Sequence, residues 1–121
     1  MKRLALTAAL LWVGVACAQP GREVRRDVAA LVPRTVASGP LPTPTIVQKP
    51  GTIEASWTVP LTTTWPEYSR WLQTQLAPEY HVKSSSTTEI VLVRILDADI
   101  YRLTLRPDDR SVRATLIARP F

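Results

Sequence analysis

The chain has 121 residues, a formal net charge of +5 and a single cysteine. A chain of this length forms one domain, and one cysteine excludes an intrachain disulfide and a zinc site made of several thiolates. One histidine also excludes a metal centre with two histidine ligands from the same chain. The sequence contains no further catalytic, metal or cofactor motif, so we expect no enzymatic activity, no metal and no cofactor.

The first 18 residues have the three-part pattern of an export signal. A basic start, MKR, precedes the apolar run LALTAALLWVGVA and the small residues ACA before Gln19. Cleavage after Ala18 predicts a periplasmic or secreted protein without a cysteine. The alternative is acylation of Cys17, which would make a membrane-anchored lipoprotein. Gly14 argues against acylation, because it stands where a lipobox needs a large aliphatic residue.

The segment of residues 19–50 differs in composition from the rest of the chain. It contains five prolines and no aromatic residue in the stretch PRTVASGPLPTPTIVQKP, which predicts a flexible proline-rich linker. Ahead of these prolines, Val24, Val28 and Leu31 are spaced as on one face of a helix over residues 22–32. One interpretation is a short amphipathic helix that contacts an acidic membrane surface or an acidic partner. The other is a frayed segment, because short helices are marginal alone.

Residues 51–121 have the patterning of a small folded domain. In TIEASWTV apolar and polar residues alternate, which predicts a half-buried strand that ends at Pro60. The stretch TWPEYSRWLQTQL begins with Thr64 and Glu67 at capping-box spacing and has its apolar residues on one stripe. It is predicted to be an amphipathic helix that ends at Pro78.

Three or four strands follow this helix. EYHVKSS, TEIVLVRIL, DIYRLTLR and SVRATLIA are rich in strand-forming residues, and the last two alternate apolar and polar side chains. We therefore predict an α+β fold, with one amphipathic helix packed on a small antiparallel sheet in the order β-α-β-β-β. One extra strand is an alternative. The signal peptide and the disordered linker precede this domain.

Four arginines of the predicted strands are the candidate site residues. Alternation indicates that they line the polar side of the sheet, where they would bind phosphates, lipid head groups or an acidic protein. A solvated face without a ligand is the alternative, since arginine outnumbers lysine twelve to three throughout the chain. The four residues are Arg94, Arg102, Arg106 and Arg113.

Nucleic acid is not an expected partner. Residues 51–121 hold eight basic and eight acidic residues, so the excess positive charge lies outside the predicted domain. No aromatic residues accompany the four arginines on their predicted face, and stacking on bases therefore lacks support.

The pattern as a whole favours an exported protein of the bacterial cell envelope without enzymatic activity, a small binding or adaptor domain on a flexible stalk. Its expected partner is an envelope protein or an anionic surface, with a membrane contact only if Cys17 is acylated, and an unpaired edge strand would allow a homodimer. An alternative is a carrier or sensor of a small apolar or anionic ligand bound between helix and sheet. A third hypothesis, a hydrolase, requires Asp97, Asp99 or Glu89 to converge in a cleft.

Overall fold

The structure, a computed structural model, describes residues 20–96 and 99–120, which form two helices and a six-stranded antiparallel sheet. The elements in chain order are α1 (Pro20–Thr35), β1 (Thr45–Lys49), β2 (Thr52–Pro60), α2 (Trp65–Leu76), β3 (His81–Ser85), β4 (Ile90–Leu96), β5 (Asp99–Asp108) and β6 (Ser111–Pro120). The strand order is β1-β2-β6-β5-β4-β3. The α+β prediction is confirmed, whereas the predicted signal peptide over residues 1–18 and Cys17 lie outside the described residues.

The apolar positions of the strands form one continuous layer. Alternate residues of β2 from Ile53 to Val59 are buried, as the sequence pattern predicts. Register sets Leu92 of β4 beside Leu103 of β5, and Leu103 beside Leu116 of β6. Each such side chain contributes about 1.5–3 kcal/mol of transfer free energy when it is buried. The core therefore lies between this layer and the two helices.

The capping box predicted for α2 is present. Thr64 is the N-cap residue, and its hydroxyl accepts a hydrogen bond from the backbone N–H of Glu67 at 3.3 Å. The hydroxyls of Thr63 and Thr64 donate to the Glu67 carboxylate and hold the pKa of Glu67 below its ordinary value. Pro66 lies in the first turn, where it costs no intrahelical hydrogen bond, and the helix ends at Leu76.

The prediction of a flexible linker over residues 19–50 is wrong for α1. This helix buries an apolar stripe in the same core as α2 and the sheet, consisting of Val24, Val28, Leu31 and Val32. A helix that is marginal alone becomes stable when its apolar face is buried, so the sequence spacing marks a core stripe and not a frayed segment. No helix of the described part is long and apolar enough to cross a membrane.

The linker prediction is also wrong for β1. Residues 45–49 lie within the proline-rich stretch, yet they pair with β2 along the whole strand, from Thr45 opposite Ser56 to Lys49 opposite Thr52. The prolines flank this strand and do not interrupt it, so its backbone groups remain free to pair. The described part of the chain thus contains a helix where one was given as possible over residues 22–32, and at least one more strand than predicted, and its stretch from α1 to β1 is no stalk.

The last residue of α1 links three elements through buried hydrogen bonds. Thr35 is fully buried, and its hydroxyl donates to the carbonyl oxygen of Val32 at 2.7 Å. The same hydroxyl oxygen accepts from Nε1 of Trp57 in β2 at 2.9 Å. The carbonyl oxygen of Thr35 accepts from the hydroxyl of Tyr68 in α2 at 2.6 Å. These bonds pair polar groups that would be costly to bury alone.

All three tyrosines of the chain are buried, and we expect the fold to lose stability at alkaline pH. Burial raises the pKa of Tyr68 and of Tyr101, whose hydroxyl also donates to the Asp27 carboxylate, and it raises the pKa of Tyr80 to about 12. Tyrosines of the unfolded chain titrate near about pH 10. The folded state then keeps protons that the unfolded state releases. Stability is therefore complete below about pH 10 and falls as the pH rises toward about 12.

Urea unfolding at about pH 8 and at about pH 11 tests this dependence. We expect a lower midpoint at the higher pH. The Tyr101→Phe variant, which lacks one ionisable hydroxyl, should show a smaller decrease. Equal midpoints for the unsubstituted chain at the two pH values would contradict the assignment of buried, protonated tyrosines.

Candidate functional site

The two faces of the sheet differ in what covers them. Both helices pack on one face, where the residues of the hydrophobic core lie. The other, which we call the open face, is not covered by either helix of the described part of the chain. On the two central strands it is formed by Ile100, Arg102, Thr104 and Arg106 of β5, and by Arg113, Thr115, Ile117 and Arg119 of β6.

Three of the four predicted site arginines share the open face. Arg102 and Arg106 belong to β5, and Arg113 of β6 lies directly opposite Arg106. Arg106 is four positions after Arg102 along the strand, so their backbones are about 13 Å apart. Thr104 and Thr115, which are paired across the strands, lie between them. On the open face, Arg102 is thus separated from the pair Arg106 and Arg113 by two threonine hydroxyl groups.

The fourth predicted residue, Arg94, does not join them. Register pairs Arg94 with the buried Tyr101, so its side chain lies on the helix side of the sheet. There its guanidinium carbon is 5.9 Å from the ring centroid of Tyr80, and Nη2 is 3.6 Å from Oε2 of Glu79. This cation–π contact and ion pair give Arg94 a packing role beside α2.

A groove of about 320 Å³ lies on the open face, toward the end of the sheet where β4 leads into β5. Four of its lining residues, which we call the apolar floor, are Val93, Ile95, Ile100 and Ile117. The other three are the cations Lys83, Arg102 and Arg119. We call these seven residues the open-face groove. Ile95 is 62% exposed, and exposed apolar surface of this kind, gathered in one place, marks interaction sites.

Two carboxylates on this side of the sheet, those of Glu54 and Glu89, are already engaged. Nζ of Lys49 is 3.1 Å from Oε1 of Glu54, and Nη2 of Arg106 is 2.7 Å from Oε1 of Glu89. Within residues 20–96 and 99–120, four further cations on this side have no ion-pair partner within 4.0 Å, namely Lys83, Arg102, Arg113 and Arg119. The segment of residues 51–121, which has equal numbers of acidic and basic residues, therefore presents a group of cations without ion-pair partners among the described residues on the open face.

Sequence reasoning missed Lys83, Arg119 and the apolar floor. Arg119 lies six residues after Arg113 on one strand, so strict alternation would have assigned both to one face. Lys83 is different, because the register of β3 shifts between Val82 and Ser84, and no local pattern predicts that shift. The floor is hidden because the run IVLVRIL of β4 is apolar on both faces.

Two of the acidic residues of the hydrolase hypothesis, Glu89 and Asp99, lie at opposite ends of β4. Glu89 precedes β4 and pairs with Arg106, whereas Asp99 begins β5 opposite Leu96, at the other end of β4. The backbones of these two residues are about 23 Å apart along the strand. Asp97 lies outside the described residues. In the part of the chain that is described, no group of three or more histidine, cysteine or acidic side chains is placed to hold a metal ion.

The middle of the space between α2 and the sheet is occupied by side chains. Leu72 and Leu76 of α2 and Leu103 and Leu105 of β5 are all fully buried there. A cleft of about 220 Å³ lies at the edge of this space, lined by Val24 of α1 and by Ile53 and Ala118 of the sheet. The hypothesis of a ligand carrier, with its ligand between helix and sheet, stays a prediction.

The chain matches no protein-family model, no curated protein and no solved structure. Its function is therefore inferred from the chemistry of the open face. That surface offers guanidinium and ammonium groups, hydroxyls and exposed apolar side chains. Such a combination suits a partner that is anionic and partly apolar.

Proposed function

We propose that this chain is a binding module of the bacterial cell envelope, without enzymatic activity, and that it binds an anionic partner through the open face. The observation that carries the proposal is the group of four cations on that side with no ion-pair partner among the described residues, Lys83, Arg102, Arg113 and Arg119. Cations that have no internal partner are available to an external anion.

Location in the envelope rests on the pattern of the first 18 residues. The basic start, the apolar run and the small residues before Gln19 fit an export signal. Removal of this signal gives a periplasmic or secreted protein. Acylation of Cys17 remains the alternative and would anchor the domain to a membrane.

The edges of the sheet are less suited to a partner than its open face. β1 has five residues, lies between Pro44 and Pro50, and carries Lys49. β3 also has five residues and carries Lys83 at its register shift. Short length, lysine, proline and irregular register are the features that protect edge strands from pairing with another chain. We therefore favour a partner on the face over a homodimer formed through an edge strand.

Binding of fluorescently labelled poly-L-glutamate to the full chain tests the proposal, with fluorescence anisotropy as the measurement. We expect the double variant Arg102→Glu/Arg113→Glu to weaken binding by at least about tenfold, because two attractive charges become repulsive. Binding should also weaken as salt is added, since exposed charges are screened beyond about 8 Å at physiological ionic strength.

A matched control is the double variant Arg26→Glu/Arg70→Glu. It changes the net charge equally, at two exposed positions on the helices, across the sheet from the open face. We expect it to weaken binding by less than about twofold. Equal losses in the two double variants would mean that net charge alone attracts the probe, and would contradict a binding surface on the open face. Absence of binding by the unsubstituted chain would contradict it as well.

A further inference from the structure

We infer that the partner of the open-face groove is an anionic lipid bilayer surface. Lys83, Arg102 and Arg119 bind its acidic head groups, and Ile95 and Ile100 contact its hydrocarbon. This inference rests on the proposed function, because it names the partner of the same surface.

Cations and apolar residues alternate across neighbouring strands in the groove. Ile100 of β5 lies between Arg119 of β6 and Ile95 of β4. The next row along the strands consists of Ile117, Arg102 and Val93. A purely acidic polypeptide such as poly-L-glutamate would contact the cations and leave the isoleucines in water. A bilayer surface presents phosphate and hydrocarbon within about 5–10 Å of each other, which suits this alternation. Arginine also extends its charged head toward water while its stem lies on apolar surface.

The groove lies at the end of the sheet where the chain enters the domain. Val24, near the start of α1, lines a cleft of about 220 Å³ together with Asp99 and Arg119. Arg119 also belongs to the groove, so the start of α1 and the groove lie at the same end of the sheet, on its two opposite faces. Cys17 precedes Pro20 by three residues, at most about 11 Å of extended chain. An acyl anchor at Cys17 would therefore hold this end of the domain near the membrane.

A bilayer contact does not depend on that anchor. The sequence-based expectation makes a membrane partner conditional on acylation of Cys17. The groove instead provides its own contact, because each basic residue near an anionic bilayer strengthens binding, and buried apolar side chains add to it. An acylated chain and a cleaved chain would use the same surface, with the acylated chain bound more tightly.

The described carboxylates near the groove do not pair with its cations, so the groove stays positive. Glu54 lies opposite Ile117, but it is paired with Lys49 at 3.1 Å. Asp99 shares the helix side of β5 with Tyr101, away from the open face. Asp97 lies outside the described residues. Each carboxylate described at this end is thus engaged or directed to the helix side.

Cosedimentation of the full chain with vesicles tests the inference. We compare vesicles of phosphatidylcholine alone with vesicles of equal parts phosphatidylcholine and phosphatidylglycerol, and we expect stronger binding to the anionic ones. The double variant Arg102→Gln/Arg119→Gln should weaken that binding about 25-fold, or about fivefold for each basic residue. Ile95→Ser should weaken it about tenfold, because the serine side chain contributes no apolar burial.

Two control variants are matched to these substitutions. Arg70→Gln/Arg110→Gln removes the same charge from α2 and from the turn between β5 and β6, away from the groove. Leu41→Ser replaces an aliphatic residue that is 62% exposed, as Ile95 is. We expect both controls to bind anionic vesicles within about twofold of the unsubstituted chain. Thermal unfolding of each variant confirms that it is folded before binding is measured.

Poly-L-glutamate binding by the same variants separates this inference from the proposed function. If the chain binds poly-L-glutamate through the open face but does not bind anionic vesicles, the bilayer is not its partner and the proposed function stands. If the Ile95 and arginine variants bind anionic vesicles as strongly as the unsubstituted chain does, another part of the chain makes the membrane contact and the inference is overturned. If neither probe binds, both proposals fail.

Discussion

Replacement of Leu31 by alanine is expected to lower the free energy of unfolding by about 2–4 kcal/mol. Leu31 lies in α1, is 3% exposed and belongs to the same hydrophobic core as α2 and the sheet. The substitution removes apolar contacts and leaves a cavity that the neighbouring side chains fill only in part. Urea unfolding, followed by circular dichroism, measures the change from the shift in midpoint at constant slope.

Arg26→Ala is the control on the same helix. Arg26 is exposed, so its truncation should change the free energy of unfolding by less than about 0.5 kcal/mol. In a flexible linker both substitutions would be neutral, because neither side chain would be buried. An unchanged midpoint for Leu31→Ala would therefore contradict the packing of α1 in the core.

Local sequence patterns predict the elements of residues 51–120 well, because their signals are local. The alternation of β2 and the capping box of α2 each depend on residues close together in the chain. The role of α1 is not local. Its spacing indicates a helix, but the surface that buries Val28 and Leu31 is built mainly from residues more than 20 positions away. The prolines after the helix give this segment the composition of a linker, although they only flank β1.

The candidate site is predictable only where one strand face is polar. On β5 and β6 alternation is clear, and it correctly assigns Arg102, Arg106 and Arg113 to one face. On β4 both faces are apolar, so the direction of Arg94 depends on its register with Tyr101. Composition has a similar limit. Equal numbers of acidic and basic residues do not indicate that the acids are engaged elsewhere while cations collect on the open face.

Replacement of Thr35 by valine is expected to lower the free energy of unfolding by about 1–3 kcal/mol. The side chains have nearly the same shape, so the change removes a hydroxyl and creates little cavity. Nε1 of Trp57, which donates to this hydroxyl at 2.9 Å, would then be buried without an acceptor. Trp57 itself is 4% exposed, so water does not easily replace the lost partner. Urea unfolding measures the loss.

Two further substitutions identify the hydroxyl as the cause. Thr35→Ser keeps the hydroxyl and should cost less than Thr35→Val, whereas Thr45→Val, at an exposed position of β1, should be neutral within about 0.5 kcal/mol. The Tyr68 hydroxyl binds the carbonyl oxygen of Thr35 and not its side chain. That bond therefore survives in Thr35→Val. Combining Thr35→Val with Tyr68→Phe should lower the free energy of unfolding further. Equal stability of Thr35→Val and the unsubstituted chain would mean that the indole N–H finds another acceptor, and would contradict the link between α1 and β2.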